Sequence, residues 1–352
     1  AEKREVNETK YKGDIGNVEI MAEQKCNENR ELAPHQIFVK NFMSFNTPYN
    51  SLLLYHGLGS GKTCAAVGIM EETRDYFKQL SIEKPIYVLA QPNVQGNFKT
   101  EIFDPRKLIH TNNVWSINSC IGNKLLKEIN TNTIKLSKEA IVKQIEKLIR
   151  KSYSFFGYGE FSSHVINSSR IEGDYKKGTK KKLINDKLNR MFSNTLIVID
   201  EVHNIRNSSD YKVKKSYNTL LTLARNVDNL RFLFLSATPM FNDSREIIPI
   251  INLMNTNDNR SNIGIKEVFD TNGNLKVDEN GDNIGEILLK AKCNGYISYV
   301  RGENPYTYPY KIYPRIFNPD KSILNMTYPS KTLNGGSIIP VSYTHLRAHE
   351  TQ

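Results

Sequence analysis

The chain has 352 residues, of which 39% are hydrophobic and 24% charged, a composition typical of globular proteins with one large domain or two. It contains no apolar run of about 18 residues and begins without an apolar core, so neither a membrane span nor a secretory signal is predicted. The four cysteines lie far apart without metal-ligand spacing, which favours a reducing, intracellular compartment.

The net charge of +11 is unevenly distributed along the chain. Residues 121–190 hold 16 Lys and Arg against 7 Asp and Glu. Such a block favours a partner with a phosphate backbone. A solvated insertion that keeps its lysines for solubility explains the block equally well.

The N-terminal part begins with residues 1–29, which are polar and are predicted to form an arm. A helix is predicted to begin near Pro34. Its buried face is expected to consist of Ile37, Phe38, Phe42 and Phe45. Gln36 is a candidate nucleotide-binding residue, because its amide can both donate to and accept from an adenine edge. An ordinary surface glutamine is the alternative.

The next feature is a glycine-rich turn, His-Gly-Leu-Gly-Ser-Gly-Lys-Thr at residues 56–63, between an apolar run and a predicted helix. This arrangement predicts a phosphate-binding loop, because backbone N–H groups and the helix dipole face the anion. Lys62 would reach the β- and γ-phosphates of ATP, and the Thr63 hydroxyl would hold Mg²⁺. His56 replaces the first glycine of the full motif. The candidate nucleotide-binding residues of the loop are Gly57, Gly59, Ser60, Gly61, Lys62 and Thr63.

A short β-rich run at residues 85–90 follows and ends in Gln91, Pro92 and Asn93. Polar residues at the carboxyl end of a strand can contact a nucleic-acid backbone, and a plain strand–helix loop is the alternative.

Residues 105–190 are less regular and are predicted to form a basic insertion. A helix is predicted to start at Ser137. The aromatic run at residues 153–158 could stack on bases, but a buried core strand is favoured. Residues 175–182 are predicted to form an exposed basic loop.

The apolar run Leu-Ile-Val-Ile at residues 196–199 predicts a strand buried on both faces, and it ends in Asp200 and Glu201. Beside a phosphate loop, Asp200 would hold Mg²⁺, and Glu201 would orient and deprotonate the attacking water. His203 could sense the γ-phosphate and pass that state to the nucleic-acid side.

A second buried strand is predicted at residues 231–235, after a helix at residues 212–230. It ends in Ser236 and Thr238, whose hydroxyls suit a coupling element; a simple strand–turn is the alternative. Residues 257–330 are predicted to form a polar hairpin and an extended connector, without a calcium site.

Four of these elements, in this order, resemble motifs of the first RecA-like lobe of a superfamily 2 helicase or translocase. Gln36, residues 56–63, residues 200–203 and residues 236–238 are similar to the Q motif and motifs I, II and III. Thr-Pro-Met-Phe-Asn, which begins at Thr238, is similar to the Swi/Snf side of the superfamily.

A further resemblance concerns the segment Tyr-Val-Arg-Gly-Glu-Asn-Pro-Tyr-Thr-Tyr-Pro at residues 299–309. It resembles the segment that follows this lobe in ATPases of poxviruses and other large cytoplasmic DNA viruses. The early transcription factor small subunit and nucleoside triphosphatase I are among them.

The resemblance implies an α/β fold: a RecA-like P-loop NTPase lobe over residues 30–256, with a mostly parallel sheet, helices on both faces and a basic insertion. It implies ATP and Mg²⁺ as cofactors, with Lys62, Asp200 and Glu201 in catalysis and Thr63 and Asp200 at the metal. It also implies a nucleic-acid partner, with DNA favoured over RNA, and no membrane partner.

In a virus, the implied location is the virion and the host cytoplasm, and a viral RNA polymerase or transcription factor subunit is a further implied partner. Two alternatives stay open. One is a non-translocating P-loop ATPase, such as a packaging motor or a nucleotide switch. The other is a non-catalytic module that binds nucleic acid through its basic insertion.

The superfamily signature Gln-x-x-Gly-Arg-x-x-Arg, which carries an arginine finger in the second lobe, does not occur in the chain. We therefore expect a fragment that ends just beyond the first lobe. Residues 331–352 are predicted to be a tail, and residues 341–351 resemble a translated sequencing adapter.

Overall fold

The computed structural model describes residues 32–112, 114–129, 136–205, 211–240 and 243–300, apart from the side chains of residues 211–213. The predicted N-terminal arm, most of the segment that resembles viral ATPases and the predicted tail lie outside these ranges. Within them, no helix is long and apolar enough to cross a membrane.

The first half of the fold contains α1 (Pro34–Phe42), β1 (Ser51–His56), α2 (Lys62–Gln79), β2 (Ile86–Leu89), α3 (Pro92–Ile102), β3 (Leu108–Thr111), β4 (Val114–Ile117), α4 (Lys124–Glu128), α5 (Lys138–Ser152) and β5 (Tyr153–Phe156). The second half contains α6 (Tyr158–Ser169), α7 (Lys177–Phe192), β6 (Leu196–Ile199), α8 (Tyr211–Asn226), β7 (Arg231–Ser236), α9 (Ile247–Asn257), α10 (Ile265–Val268), α11 (Ile284–Cys293) and β8 (Ile297–Val300).

Six strands form one sheet in the order β5-β2-β6-β7-β1-β8, and every neighbouring pair is parallel. The strands β3 and β4 form a separate antiparallel pair. Because the six strands run the same way, their carboxyl ends share one edge, here called the carboxyl edge.

Helices cover both faces of the sheet, as the sequence predicts. The helices α1 to α5 pack on one face, where Val39, Met70 and Ile141 are fully buried. The helices α6 to α11 pack on the other, where Phe161, Phe192 and Ile251 are buried. The central strands therefore need apolar residues on both sides, which explains their unbroken apolar runs.

Helix α1 begins at Pro34 as predicted, but the predicted buried face is wrong in two positions. Ile37 and Phe38 are 46% and 62% exposed, whereas Val39 and Met43 are buried in the core beside α2. Apolar residues occur on both sides of this helix, so the pattern alone does not say which side faces the sheet.

One strand of the main sheet, β5, lies within the predicted basic insertion. Strand β5 pairs with β2, with Phe155 opposite Val88, which confirms a strand for the aromatic run. It is an edge strand, and of its four residues only Tyr153 is buried. The predicted helix start at Ser137 is confirmed, since its hydroxyl accepts a hydrogen bond from Ala140 N at 3.3 Å. The predicted basic loop is wrong from Lys177 onwards, where α7 begins.

The sheet also extends past residue 256, where the sequence-based boundary of the lobe lies. Strand β8 pairs with β1, with Ile297 opposite Leu53. Phe269 and Tyr296 are buried in the core on the face of the sheet that α6 to α11 cover. Part of the predicted hairpin and connector therefore belongs to the same layered structure.

A buried charge network fixes α2, which carries the glycine-rich loop at its N-terminal end. Glu71 and Arg74 are almost fully buried and form an ion pair at 2.6 Å. Arg74 also binds Glu128 on α4 at 2.7 Å, and the Tyr153 hydroxyl on β5 donates to Glu71. Buried charges are tolerated when each is paired and hydrogen-bonded, and here the pairs hold α2 against α4 and β5.

Candidate active site

The glycine-rich loop connects the end of β1 to the start of α2 at the carboxyl edge. Gly59 and Gly61 have φ angles of 73° and 77°, in the left-handed region that favours glycine. A Cβ atom on Gly61 would lie 2.4 Å from Gln36 Nε2. This position therefore needs glycine for its backbone conformation and for the close approach of Gln36.

One hydrogen bond within the loop and one to β8 hold the loop in place. The Ser60 hydroxyl donates to Gly57 O at 2.7 Å, and Gly57 N donates to Val300 O on β8 at 3.2 Å. The loop thus begins in contact with the last residue of the edge strand.

Gln36 contacts the loop directly. Its Nε2 donates to Gly61 O at 3.0 Å, and its Oε1 accepts from Ala33 N at 2.8 Å. The side chain is buried, so the interpretation as an ordinary surface glutamine is wrong. Adenine recognition by Gln36 stays a prediction.

Two histidines border the loop. His35 Nε2 donates to Ser60 O at 3.1 Å, and its ring centroid lies 5.7 Å from that of His56. The His56 ring is fully buried, with Nε2 2.9 Å from Ser298 Oγ on β8. Burial, together with the nearby charges of His35 and Lys62, lowers the pKa of His56 to about 4. His56 thus occupies the position of the first glycine of the motif, and its side chain is hydrogen-bonded to the neighbouring strand β8.

Lys62 lies at the first position of α2, and its Nζ donates to His56 O at 3.0 Å. Burial lowers the pKa of Lys62, while Glu201 and Asp200 act in the opposite direction. The two carboxylates therefore lie within electrostatic reach of the ammonium group. A phosphate oxygen can take the place of the carbonyl, so Lys62 fits the binding of an anionic nucleotide.

Strand β6 delivers Asp200 to the carboxyl edge, as predicted. Asp200 N donates to Leu89 O at 2.9 Å, and the Tyr158 hydroxyl donates to Asp200 O at 2.8 Å. Burial and the adjacent Glu201 raise the pKa of Asp200 to about 6. A carboxylate that is costly to ionise without a cation suits a divalent metal ligand.

Glu201 has a φ of 44°, a left-handed conformation that is strained for a residue with a side chain. In this conformation, the Glu201 side chain takes part in a three-way contact with His203 and Ser236. Glu201 Oε2 lies 3.2 Å from His203 Nδ1 and 3.2 Å from Ser236 Oγ. His203 Nδ1 lies 3.0 Å from Ser236 Oγ.

Burial alone would raise the pKa of Glu201, but the hydrogen bond and charge of His203, the charge of Lys62 and the Ser236 hydroxyl lower it. Glu201 is therefore held in its ionised form. The structure brings together Glu201, predicted to be catalytic, with His203 and Ser236, two of the three predicted coupling residues. Thr238 takes part through its backbone N–H, which donates to Ser236 Oγ at 3.0 Å, while its side chain is exposed.

Gln91, Pro92 and Asn93 begin α3 at the carboxyl end of β2, and all three are exposed. They follow β2, which is the strand next to β6 in the sheet. Contact between these residues and nucleic acid stays a prediction.

Cys64, one residue after Thr63, forms a disulfide with Cys120, 56 residues away. This pair disagrees with the expectation of a reducing compartment, and the long separation hides it from sequence reasoning. Cys293 is a free cysteine. His35 was also missed, because adjacency to Gln36 is its only sequence signal.

A family profile described as the SNF2-related domain matches residues 17–292. Two relatives in Acanthamoeba polyphaga mimivirus, both provisionally named ATP-dependent RNA helicases, are L377 and R563. Each is 27% identical; the matches cover 82% and 78% of this chain, and 24% and 41% of those proteins.

The early transcription factor large subunit homolog of African swine fever virus (isolate Tick/South Africa/Pretoriuskop Pr4/1996) is 22% identical, over 79% of this chain and 28% of that protein. Its name refers to the large subunit, whereas the sequence resemblance concerns the small subunit. The chain thus spans about a quarter to two-fifths of the length of these relatives. The SWI2/SNF2 ATPase core of Sulfolobus solfataricus in complex with dsDNA aligns with a TM-score of 0.44 at 18% identity, over 78% of this chain and 45% of that one.

Proposed function

Since this chain belongs to the SNF2-related domain family, we propose that it is the ATP-binding lobe of a nucleic-acid-dependent ATPase of the superfamily 2 type. The observation that carries the proposal is the three-way contact of Glu201, His203 and Ser236 beside the glycine-rich loop. This contact links the Glu201 carboxylate, which would activate water, to Ser236 at the end of the neighbouring strand β7.

Lys62, Thr63 and Asp200 are the residues that would hold MgATP, which supplies the γ-phosphoryl group and the metal charge that stabilises its transfer. Glu201 is ionised and can accept a proton from water. His203 and Ser236 keep its carboxylate in one orientation. Gln36 donates to Gly61 O in the loop and would contact the base.

The partner in this proposal is nucleic acid, with DNA favoured over RNA. RNA is tested as well, because the mimivirus relatives are named as RNA helicases. A role in viral transcription or genome handling, inside the virion or the host cytoplasm, is supported by the name of the African swine fever virus relative. A viral RNA polymerase or transcription factor subunit would then be a further partner.

The domain organisation is also part of the proposal. Residues up to Val300 would form one lobe, and hydrolysis would need an arginine from a second lobe, as in related phosphoryl-transfer enzymes where such a residue contributes about 10³–10⁵ in rate. We expect this chain alone to bind ATP and to hydrolyse it slowly.

The test is ATP binding and hydrolysis by this chain and by a longer form that includes a second lobe, with and without DNA. Glu201→Gln should keep ATP affinity and lower the DNA-stimulated rate of the longer form by about 10²–10⁴, the usual contribution of a general base. Glu146→Gln, the same change at an exposed position on α5, serves as the control. An unchanged rate in Glu201→Gln would contradict the assigned role.

A further inference from the structure

The N-terminal end of α7 is a cluster of exposed lysines, here called the lysine tip. It consists of Lys176, Lys177, Lys180, Lys181 and Lys182. The first buried residue of the helix is Leu188, followed by Phe192. The first turns of α7 therefore extend past the part of the helix that packs on the sheet.

The connection to β6 determines where this tip lies. Helix α7 ends at Phe192 and β6 begins at Leu196, so a short turn makes the helix run back antiparallel to the strand. The path from Thr195 to Asp200 covers about 16 Å of strand, a length that about eleven helical residues also cover. Counting back from Phe192 brings the lysine tip level with Asp200 or beyond it, at the carboxyl edge.

The lysines of the tip have no ion-pair partner in the part of the chain that the structure describes. The first turn of α7 contains no acidic residue, so its lysines face the positive end of the helix dipole. This arrangement costs helix stability, and stability of the fold therefore does not explain it.

We propose that the lysine tip binds the phosphodiester backbone of a nucleic acid that lies across the carboxyl edge. Four or five unpaired ammonium groups at one end of a helix complement a polyanion, since each contact with a phosphate releases a condensed counterion. The Phe192 ring of α7 packs on the Tyr87 ring of β2, with 5.3 Å between the centroids, so α7 lies over the strand that ends next to Gln91. The tip thus extends the surface that begins at Gln91. The inference rests on the proposed nucleic-acid dependence and adds a second contact surface to it.

The solubility alternative makes a different claim about position. Exposed basic residues also occur on α5, where Lys143, Lys147, Arg150 and Lys151 are all exposed. Helix α5 runs directly into β5 at Tyr153, so its last turn lies at the opposite, amino edge of the sheet. Charge that serves only solubility should be interchangeable between the two helices, whereas a binding surface should not.

The experiment compares two variants with the same change in charge. One replaces Lys177, Lys180, Lys181 and Lys182 with Gln, and the control replaces Lys143, Lys147, Arg150 and Lys151 with Gln. The probes are a labelled DNA duplex of random sequence, the corresponding single strand and an RNA duplex. The dissociation constant of each is measured between about 50 and 200 mM salt.

The lysine-tip variant should bind DNA at least about tenfold more weakly at the lower salt concentration. For the DNA duplex, the slope of log affinity against log salt should decrease in magnitude by about 3.6, because each of the four lost phosphate contacts removes about 0.9. The α5 control should keep the wild-type slope. Replacing the same four tip lysines with Arg should also keep it, and this variant shows whether the helix tolerates substitution.

Three results would overturn the inference. The tip variant could keep the wild-type slope, or both Gln variants could lose the same amount, which would indicate a diffuse charge effect. The wild-type chain could also fail to bind any of the probes. That third result would remove the nucleic-acid partner as well, whereas the first two leave the proposed function intact. Comparing the DNA and RNA probes identifies which backbone the tip prefers.

Discussion

His203 Nδ1 lies 3.0 Å from Ser236 Oγ, so the residues that follow β6 and the last residue of β7 are in hydrogen-bond contact. Both groups also contact Glu201 Oε2. A movement of either strand end therefore changes the surroundings of the carboxylate that we assign to water activation.

Replacing Ser236 with Ala should lower the rate of hydrolysis without weakening ATP binding. The change removes the hydroxyl contact to Glu201 and His203 but no group that would touch the nucleotide, so ATP affinity should stay within about twofold. Loss of a hydrogen bond to a charged group costs about 1.5–3 kcal/mol, so the nucleic-acid-stimulated rate of the two-lobe form should fall by about tenfold or more. Steady-state ATPase assays with and without DNA measure this.

Thr238→Val is the matched control for Ser236→Ala. Thr238 contacts Ser236 through its backbone N–H, which the substitution keeps, and its side chain is exposed. Its stimulated rate should therefore stay near wild type. An equal loss in both variants would show that the turn as a whole, and not the Ser236 hydroxyl, matters.

Nucleotide binding should depend on Lys62. Lys62→Ala removes the cation at the start of α2, and charge-assisted contacts are worth about 1.5–3 kcal/mol, so ATP affinity should fall at least about tenfold. Calorimetry of ATP binding measures the loss, with Lys147→Ala on the exposed side of α5 as the control. Equal affinities for wild type and Lys62→Ala would refute the assignment of the phosphate loop.

Acid should destabilise the fold through His56. Its pKa falls from 6.5 to about 4 on folding, so the unfolded chain binds more protons between these values. The stability that depends on neutral His56 is fully present above pH 6.5 and is lost as the pH falls toward 4. At about 1.4 kcal/mol per pKa unit, the loss between pH 7 and 5 is about 2 kcal/mol.

His56→Gln should flatten this dependence, because the amide cannot take up a proton and can still bond to Ser298. Urea unfolding at several pH values measures the free energy of unfolding. His110→Gln, at an exposed position on β3, should leave the pH dependence as it is. If His56→Gln and wild type lose the same stability on acidification, another group is responsible.

The disulfide between Cys64 and Cys120 should stabilise the lobe in oxidising solution. It closes a loop across 56 residues, and a disulfide of this kind typically contributes about 2–4 kcal/mol. Cys120→Ser should lower the free energy of unfolding by that amount without reductant and have a much smaller effect in its presence. Cys293→Ser keeps the disulfide, so its effect relative to wild type should be the same with and without reductant. If wild type is equally stable with and without reductant, the two cysteines are not bonded in solution.

The position of Asp200 and Ser236 at the carboxyl edge could be predicted from the sequence, because each comes directly after an unbroken apolar run, which is a local signal. In a parallel sheet, two such strands necessarily bring their polar ends to one edge. The contact of His56 with Ser298 joins residues 242 positions apart, and no local pattern indicates it. The disulfide was missed for the same reason.

Errors in helix assignment had a different cause. Lysine is a good helix former, but Gly178 and the lack of an apolar period around Lys180 favoured a loop in the sequence. Phe38 was assigned to the core because it is apolar, yet the side of α1 that packs on α2 is determined by the whole fold.

The pairing of β8 with β1 has a mechanical consequence. The two strands are parallel, and Gly57 N is bonded to Val300 O, so the phosphate loop is attached to the strand through which the chain continues. A pulling force on the chain after Val300 would act along β8 and load its hydrogen bonds to β1 in shear. The glycine-rich loop would then be among the first parts of the lobe to experience that tension.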